Sequence, residues 1–173
     1  SFIPLDFECH PILKAENISI FNGISLSVSK VFLTRFSSFL LEIAKAIPFE
    51  FNNEKDFKLK FKKTLKKLSC VVLEPARTLH CDLNFVKTIR KYCNKYNIPL
   101  IFDEITLGWH YTLGGYHKTL NVNPDIAVFS KGTTNGFPLG VVIGKKKIMN
   151  SALESFISSA YWTENIGYAA AIA

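Results

Sequence analysis

Asp125-Ile126-Ala127-Val128-Phe129-Ser130-Lys131-Gly132 is the stretch that decides the fold. Four apolar residues run without a break, then a serine, a lysine and a glycine close the run. A continuous apolar run of this length suits a strand buried on both faces, since a half-exposed strand would alternate. Three stretches of the same kind accompany it. Cys70-Val71-Val72-Leu73-Glu74 ends at Pro75, Pro99-Leu100-Ile101-Phe102-Asp103-Glu104 follows, and Gly140-Val141-Val142-Ile143-Gly144 is bounded by glycines. Between the first two of these, Phe85, Val86, Ile89, Cys93 and Tyr96 recur at helical spacing, which predicts a helix from Leu83 to Asn97. Buried strands joined by a helix and long connections predict an α/β fold, a mostly parallel sheet with flanking helices.

Outside these strands the pattern is looser. Phe32, Phe36, Phe39, Leu40, Ile43 and Ile47 fit a helical stripe, so an amphipathic helix is expected over about residues 28–46, closed by Pro48. A second helix is expected over residues 54–67, with Phe57, Phe61, Leu65 and Leu68 on one face and seven lysines on the other. Lys147 to Phe156 reads as helical. Thr163 reads as the N-cap of a last helix, Glu164 to Ala173. That helix is still apolar at Ala173 with no stop signal, so the sequence is expected to be a slice of a longer fold.

Composition narrows the function classes. The chain has 173 residues, 48% hydrophobic and 20% charged, which is globular rather than disordered or collagen-like. Lys and Arg number 21 against 14 acids, a formal charge of +7. The seven lysines of residues 54–67 equal that excess and read as one solvated helix face. No arginine or aromatic interleaving there supports base stacking, so no nucleic-acid partner is expected. No apolar run reaches the ~18 residues of a membrane span, and no signal peptide opens the chain. A cytoplasmic location and no membrane partner are therefore expected. Cys9, Cys70, Cys81 and Cys93 form no CxxC pair, which argues against a disulfide scaffold and a zinc ribbon. Cys70 and Cys93 sit in apolar patterns as buried thiols. His80-Cys81 has no second pair at ligand spacing, so no metal site is expected.

Chemistry is expected beyond the carboxyl ends of the strands, where ligands bind in open α/β sheets. Two ionisable residues fall there, Asp103 and Lys131. An acid and a lysine at strand ends also suit a plain ion pair, and these two alone leave both readings open. Lys131, however, lies in a loop with Gly132 and Gly136 and has little packing role. A desolvated lysine amine is a nucleophile that makes Schiff bases with carbonyl compounds. The ring nitrogen of pyridoxal phosphate needs an acid partner, which Asp103 would supply. Neither GxxxxGK[ST] nor GxGxxG occurs, so nucleotide folds of those kinds are not indicated. Thr163, at a helix start, offers a hydroxyl to an anion.

Six segments, in order, carry a resemblance. They are Val71 to Arg77, Leu100 to Thr106, Gly114-Gly115-Tyr116-His117, Pro124 to Gly132, Asn135 to Gly140, and Ser158 to Glu164. Together they resemble the class III (fold type I) pyridoxal-phosphate aminotransferases, in the branch of glutamate-1-semialdehyde aminomutase and its relatives. The resemblance implies PLP-dependent amino-group transfer, by a transaminase or an aminomutase, through a Schiff base on Lys131. It implies that Asp103 pairs with the cofactor's ring nitrogen. Ile105 would pack on one ring face, and Thr163 would contact the phosphate, usually across a dimer interface. An amino-acid or amino-sugar/keto small-molecule substrate and a homodimer of the complete enzyme are implied with it.

On this reading residues 70–173 are part of the PLP-binding large domain, and residues 1–69 are a poorly matched helical or irregular segment. Three family parts find no counterpart: the upstream phosphate cup, an aromatic-His stretch and a C-terminal small domain. Gly108-Trp109-His110 stands where an Arg commonly follows Gly-Phe, and Arg77 is then either a substrate-carboxylate binder or a surface arginine in a loop. His110 and His117 are either polar pocket residues or solvated loop histidines. The alternative function is a non-catalytic or split homologue that acts by pairing with another subunit.

Overall fold

Pro48 does not end a helix. The structure, a computed structural model, describes residues 18–22, 45–154 and 164–173, and Lys45–Phe49 is strand β2, paired in parallel with β1, Ile18–Asn22. The helix expected over about 28–46 is thus corrected at its end, and residues 28–44 lie outside the described residues. The helical spacing of the aromatic residues runs into a segment whose own Ile47 and Phe49 alternate. β2 is the outermost strand, and a proline is tolerated on an edge strand because no neighbour needs its missing N–H.

The later elements follow the apolar runs closely. Helix α1, Glu54–Thr64, passes into a 3-10 turn over Leu65–Lys67. Strand β3 is Leu68–Leu73, helix α2 is Leu83–Tyr96, and strand β4 is Leu100–Asp103. Then come the one-turn helix α3, His117–Leu120, and strands β5, Ile126–Phe129, and β6, Val141–Gly144. Helix α4, Lys146–Met149, gives way to a 3-10 stretch, so the expected helix from Lys147 is shorter and tighter than its pattern. Helix α5 is Ile166–Ile172. Its N-cap is Asn165 rather than Thr163, and the Glu164 side chain accepts from the Ile166 N–H at 2.9 Å. Thr163 lies outside the described residues.

The architecture is α/β, with a mostly parallel sheet and helices. Packing divides the chain into two compact units whose boundary falls between Ile101 and Phe102, within β4. In the first, the strands run β2-β1-β3 up to the start of β4, and β1 pairs in parallel with both neighbours. In the second, the rest of β4 is followed by β5 and β6. β6 is antiparallel to β5. The connection between them, residues 130–140, holds no crossover helix of the length a parallel return needs.

Aromatic rings hold the first unit together. Phe57 and Phe61 of α1 are fully buried. Phe57 packs edge-on against Phe49 of β2 at 5.3 Å and against Tyr92 of α2 at 5.8 Å. Phe61 meets Tyr92 at 5.4 Å and Tyr96 at 5.6 Å. This is the apolar face the spacing predicts. Asn53 caps the helix by accepting from the Asp56 N–H at 3.0 Å. Cys70 and Cys93 are buried, as their apolar settings predict.

On the opposite face of α1, Lys58 and Lys60 are engaged with acids one turn back. Lys58 bonds Glu54 at 2.5 Å, and Lys60 bonds Asp56 at 2.8 Å. The hydrogen bond from Lys58 holds the Glu54 carboxyl below its ordinary range. Burial pulls the Asp56 carboxyl up, but bonds from Lys60 and the Glu50 N–H outweigh it and leave it lowered. Depressed carboxyls help the fold at neutral pH and lose that contribution as the pH falls through their folded values. Exposed pairs of this kind contribute little.

Phe61→Ala is expected to destabilise the chain by about 3–5 kcal/mol, the cost of emptying a buried aromatic site. Leu59→Ala, at a side chain 69% exposed on the same helix, is expected to change little. Urea unfolding followed by circular dichroism separates the two, and equal midpoints would contradict this packing.

Candidate functional site

β4 ends in Asp103 and Glu104 follows at once, and both carboxylates are buried. Asp103 is 7% exposed and Glu104 is fully enclosed. Burying such groups is costly unless hydrogen bonds replace water. The Asp103 Oδ1 accepts from the Ile105 N–H at 3.0 Å, which turns the chain as it leaves the strand. Glu104 accepts from the Tyr116 N–H at 2.8 Å and the His117 N–H at 2.9 Å, and its Oε1 lies 2.9 Å from the His117 ring Nδ1. His117 is therefore not a solvated loop histidine. Gly115 permits the clasp, because a Cβ there would fall inside the His117 ring.

The Glu104 N–H donates to the Val128 carbonyl at 2.9 Å, so the carboxyl ends of β4 and β5 lie side by side. Lys131 comes two residues after β5 ends. It opens a 3-10 turn, Lys131–Thr133, with φ of 34°, in the left-handed region that side-chain-bearing residues avoid. Such strain persists only where surrounding contacts fix it, and it clusters at functional sites. The loop after β4 supplies those contacts. The Lys131 Nζ donates to the Thr106 Oγ1 at 3.1 Å. The Trp109 Nε1 donates to the Thr133 Oγ1 at 3.1 Å, and Trp109 itself has φ of 73°. A Cβ on Gly132 would come within 3.0 Å of the Gly108 carbonyl, and one on Gly108 within 2.5 Å of the Phe129 ring. Ser130 donates to the Leu139 carbonyl at 3.0 Å and fixes the far side of the turn.

Of the residues singled out by sequence, Asp103, Ile105 and Lys131 all lie in this one unit, on the ends of neighbouring strands and the loop between them. Thr163 is outside the described residues. Arg77 lies in the other unit, 3.5 Å from the buried Glu74 carboxylate. His110 is exposed. Glu104, Thr106 and the Trp109–Thr133 bond were not singled out by sequence. The signals that could have found them are Gly108, Gly115 and Gly132, each at a close approach that a Cβ would block. Burial pushes the Cys81 thiol up, with Asp82 adding to it, so that sulfur stays protonated.

The family model for aminotransferase class-III matches residues 26–173. The chain belongs to the class-III aminotransferases. The match reaches upstream of Cys70, into residues 26–69, where the sequence pattern resembles the family poorly. Glutamate-1-semialdehyde 2,1-aminomutase of Nitrosopumilus maritimus is 33% identical over 144 residues, which is 80% of this chain and 32% of that protein. The enzyme of the same name from Wigglesworthia glossinidia brevipalpis is 42% identical over 88 residues, or 49% of this chain and 20% of that one. A 3-aminobutyryl-CoA aminotransferase of Cloacimonas acidaminovorans is 35% identical over 89 residues. The chain thus spans about a fifth to a third of the length of these class-III relatives.

Among solved structures, the Sphingopyxis sp. MTA144 FumI protein in its PLP internal aldimine form superposes with a TM-score of 0.80 at 21% identity. That match covers 93% of this chain and 41% of the other. An omega-transaminase from Sphaerobacter thermophilus superposes with a TM-score of 0.74 at 19% identity. At these identities the likeness establishes the class-III fold.

Glu104→Ala is expected to leave two backbone N–H groups without an acceptor, at about 1–3 kcal/mol each. A urea midpoint equal to that of the unaltered chain would contradict the clasp.

Proposed function

We propose that the chain carries the cofactor-attachment centre of a pyridoxal-phosphate enzyme that moves an amino group, with residues 70–173 as part of its large domain. One observation carries the reading. A buried acid, Asp103, and a strained, solvent-facing lysine, Lys131, lie on the adjacent ends of β4 and β5, and the loop after the acid holds the lysine's amine.

The residues present fit the group. A buried carboxylate is stabilised by a protonated ring nitrogen, which is a charged hydrogen-bond donor of matching sign. Lys131 provides the primary amine for attachment. Bound pyridoxal phosphate supplies an aldehyde and an electron-accepting ring. Asp103 would pair with the ring nitrogen and favour its protonated form, since a nearby opposite charge favours the charged state of a group. Ile105, half-buried, would lie against one face of the ring with its branched apolar side chain. The Lys131 amine would hold and move the proton at the substrate α-carbon. Thr163 binds the phosphate.

The substrate on this reading is a small amino or keto compound of the amino-acid or amino-sugar class. The same lysine and acid serve a transaminase and an aminomutase, which differ in whether the intermediate is released. The complete enzyme is a homodimer, with Thr163 acting across the interface. A cytoplasmic location belongs to the same proposal. Among the described residues, no helix is long and apolar enough to cross a membrane.

The test is to add pyridoxal phosphate, reduce with borohydride and map the peptides by mass. The pyridoxyl group is expected on Lys131, and Lys131→Ala is expected to lose it. Equal incorporation in the Lys131→Ala chain would remove the reading.

A further inference from the structure

The amine of Lys131 sits on a four-carbon stem and is exposed, so without a partner it would sweep a wide arc. It does not hang free. Its Nζ donates to the Thr106 Oγ1 at 3.1 Å. Thr106 stands three residues after Asp103, and its place is set by two fixed points. The Ile105 N–H is bound to the Asp103 carboxylate at 3.0 Å, and the Glu104 N–H to the Val128 carbonyl at 2.9 Å. The contact is the first of three between the segments 106–109 and 131–133. Gly132 lies against Gly108, and Thr133 receives the Trp109 indole N–H. Lys131 adopts its left-handed φ of 34° inside this grip.

We infer that Thr106 is a positioning residue for Lys131, its hydroxyl holding the amine over the end of β4 in the orientation needed to meet a carbonyl carbon. The inference rests on Lys131 being the attachment residue. Its chemical logic is orientation: a nucleophile held near its attack geometry reacts faster than one that must first be found there. The hydroxyl supplies this role and the methyl group does not, so serine can replace threonine and valine cannot. Because Thr106 is keyed to Asp103 through Ile105, the acid and the amine are set by one short segment, Asp103-Glu104-Ile105-Thr106.

The experiment uses the full chain without cofactor. Pyridoxal phosphate is added for short times and quenched with borohydride. Condensation of Nζ with the aldehyde carbon releases water, and hydride from borohydride then fixes a stable secondary amine. Mass mapping gives the initial rate at Lys131 relative to Lys55, an exposed lysine on α1. Thr106→Val, which keeps the shape, is expected to lower that ratio about five-fold, the factor carried by one hydrogen bond. Thr106→Ser is expected to stay within about two-fold of the unaltered chain. Urea midpoints of the three proteins guard against a simple loss of fold.

An unchanged ratio in Thr106→Val overturns the inference and leaves Lys131 as the attachment residue. An equal fall in the serine and valine variants overturns it as well, since the hydroxyl would not be the cause. No capture at Lys131 in the unaltered chain overturns the attachment reading and this inference with it.

Discussion

The Glu104 carboxylate is fully enclosed, and what it binds decides where everything else in the site lies. Two backbone N–H groups and a histidine ring converge on it, all from the far end of the loop that Glu104 itself begins. Its own N–H reaches across to β5. The loop is closed on itself and joined to the next strand at one residue. A buried carboxylate so fully bonded is costly to disturb, because any partner lost leaves a charge in a dry setting. That stiffness lets the neighbouring Asp103 stay buried at a strand end, and lets the short segment after it hold Lys131 in a strained backbone conformation.

The apolar runs made the sheet legible in sequence. Leu100 to Phe102 and Ile126 to Phe129 are apolar enough to admit one reading, and the connection between them is long enough for neighbouring strands. The helix from Leu83 was legible for the same reason, its stripe of Phe85, Val86, Ile89 and Cys93 being buried. The first strands were not. β1 and β2 are five residues each, and β2 contains a proline, so the longer helical stripe upstream outweighed them. The direction of β6 was also hidden, because an apolar run bounded by glycines reads the same either way along the sheet.

The site was legible in part, and the division follows its physics. Asp103 and Lys131 stand at strand ends, where open α/β sheets bind ligands, so position made them candidates while leaving a plain ion pair open. Glu104 looked like the tail of a strand, and nothing in the order of residues shows that it folds back onto Tyr116 and His117. Thr106 and Thr133 are ordinary loop threonines until the two loops are seen to touch. Contacts across the fold depend on packing, which a single sequence carries only through residues such as Gly108, Gly115 and Gly132, where any larger side chain would clash.

On the proposed function, Asp103 would hold a protonated ring nitrogen beside the Lys131 amine. Nitrogen-15 NMR of ring-labelled pyridoxal phosphate bound to the chain tests it most directly. The expected chemical shift is that of a protonated pyridine at neutral pH, moving to that of an unprotonated ring in Asp103→Asn. The same shift in both proteins, or an unprotonated ring in the unaltered chain, would contradict it.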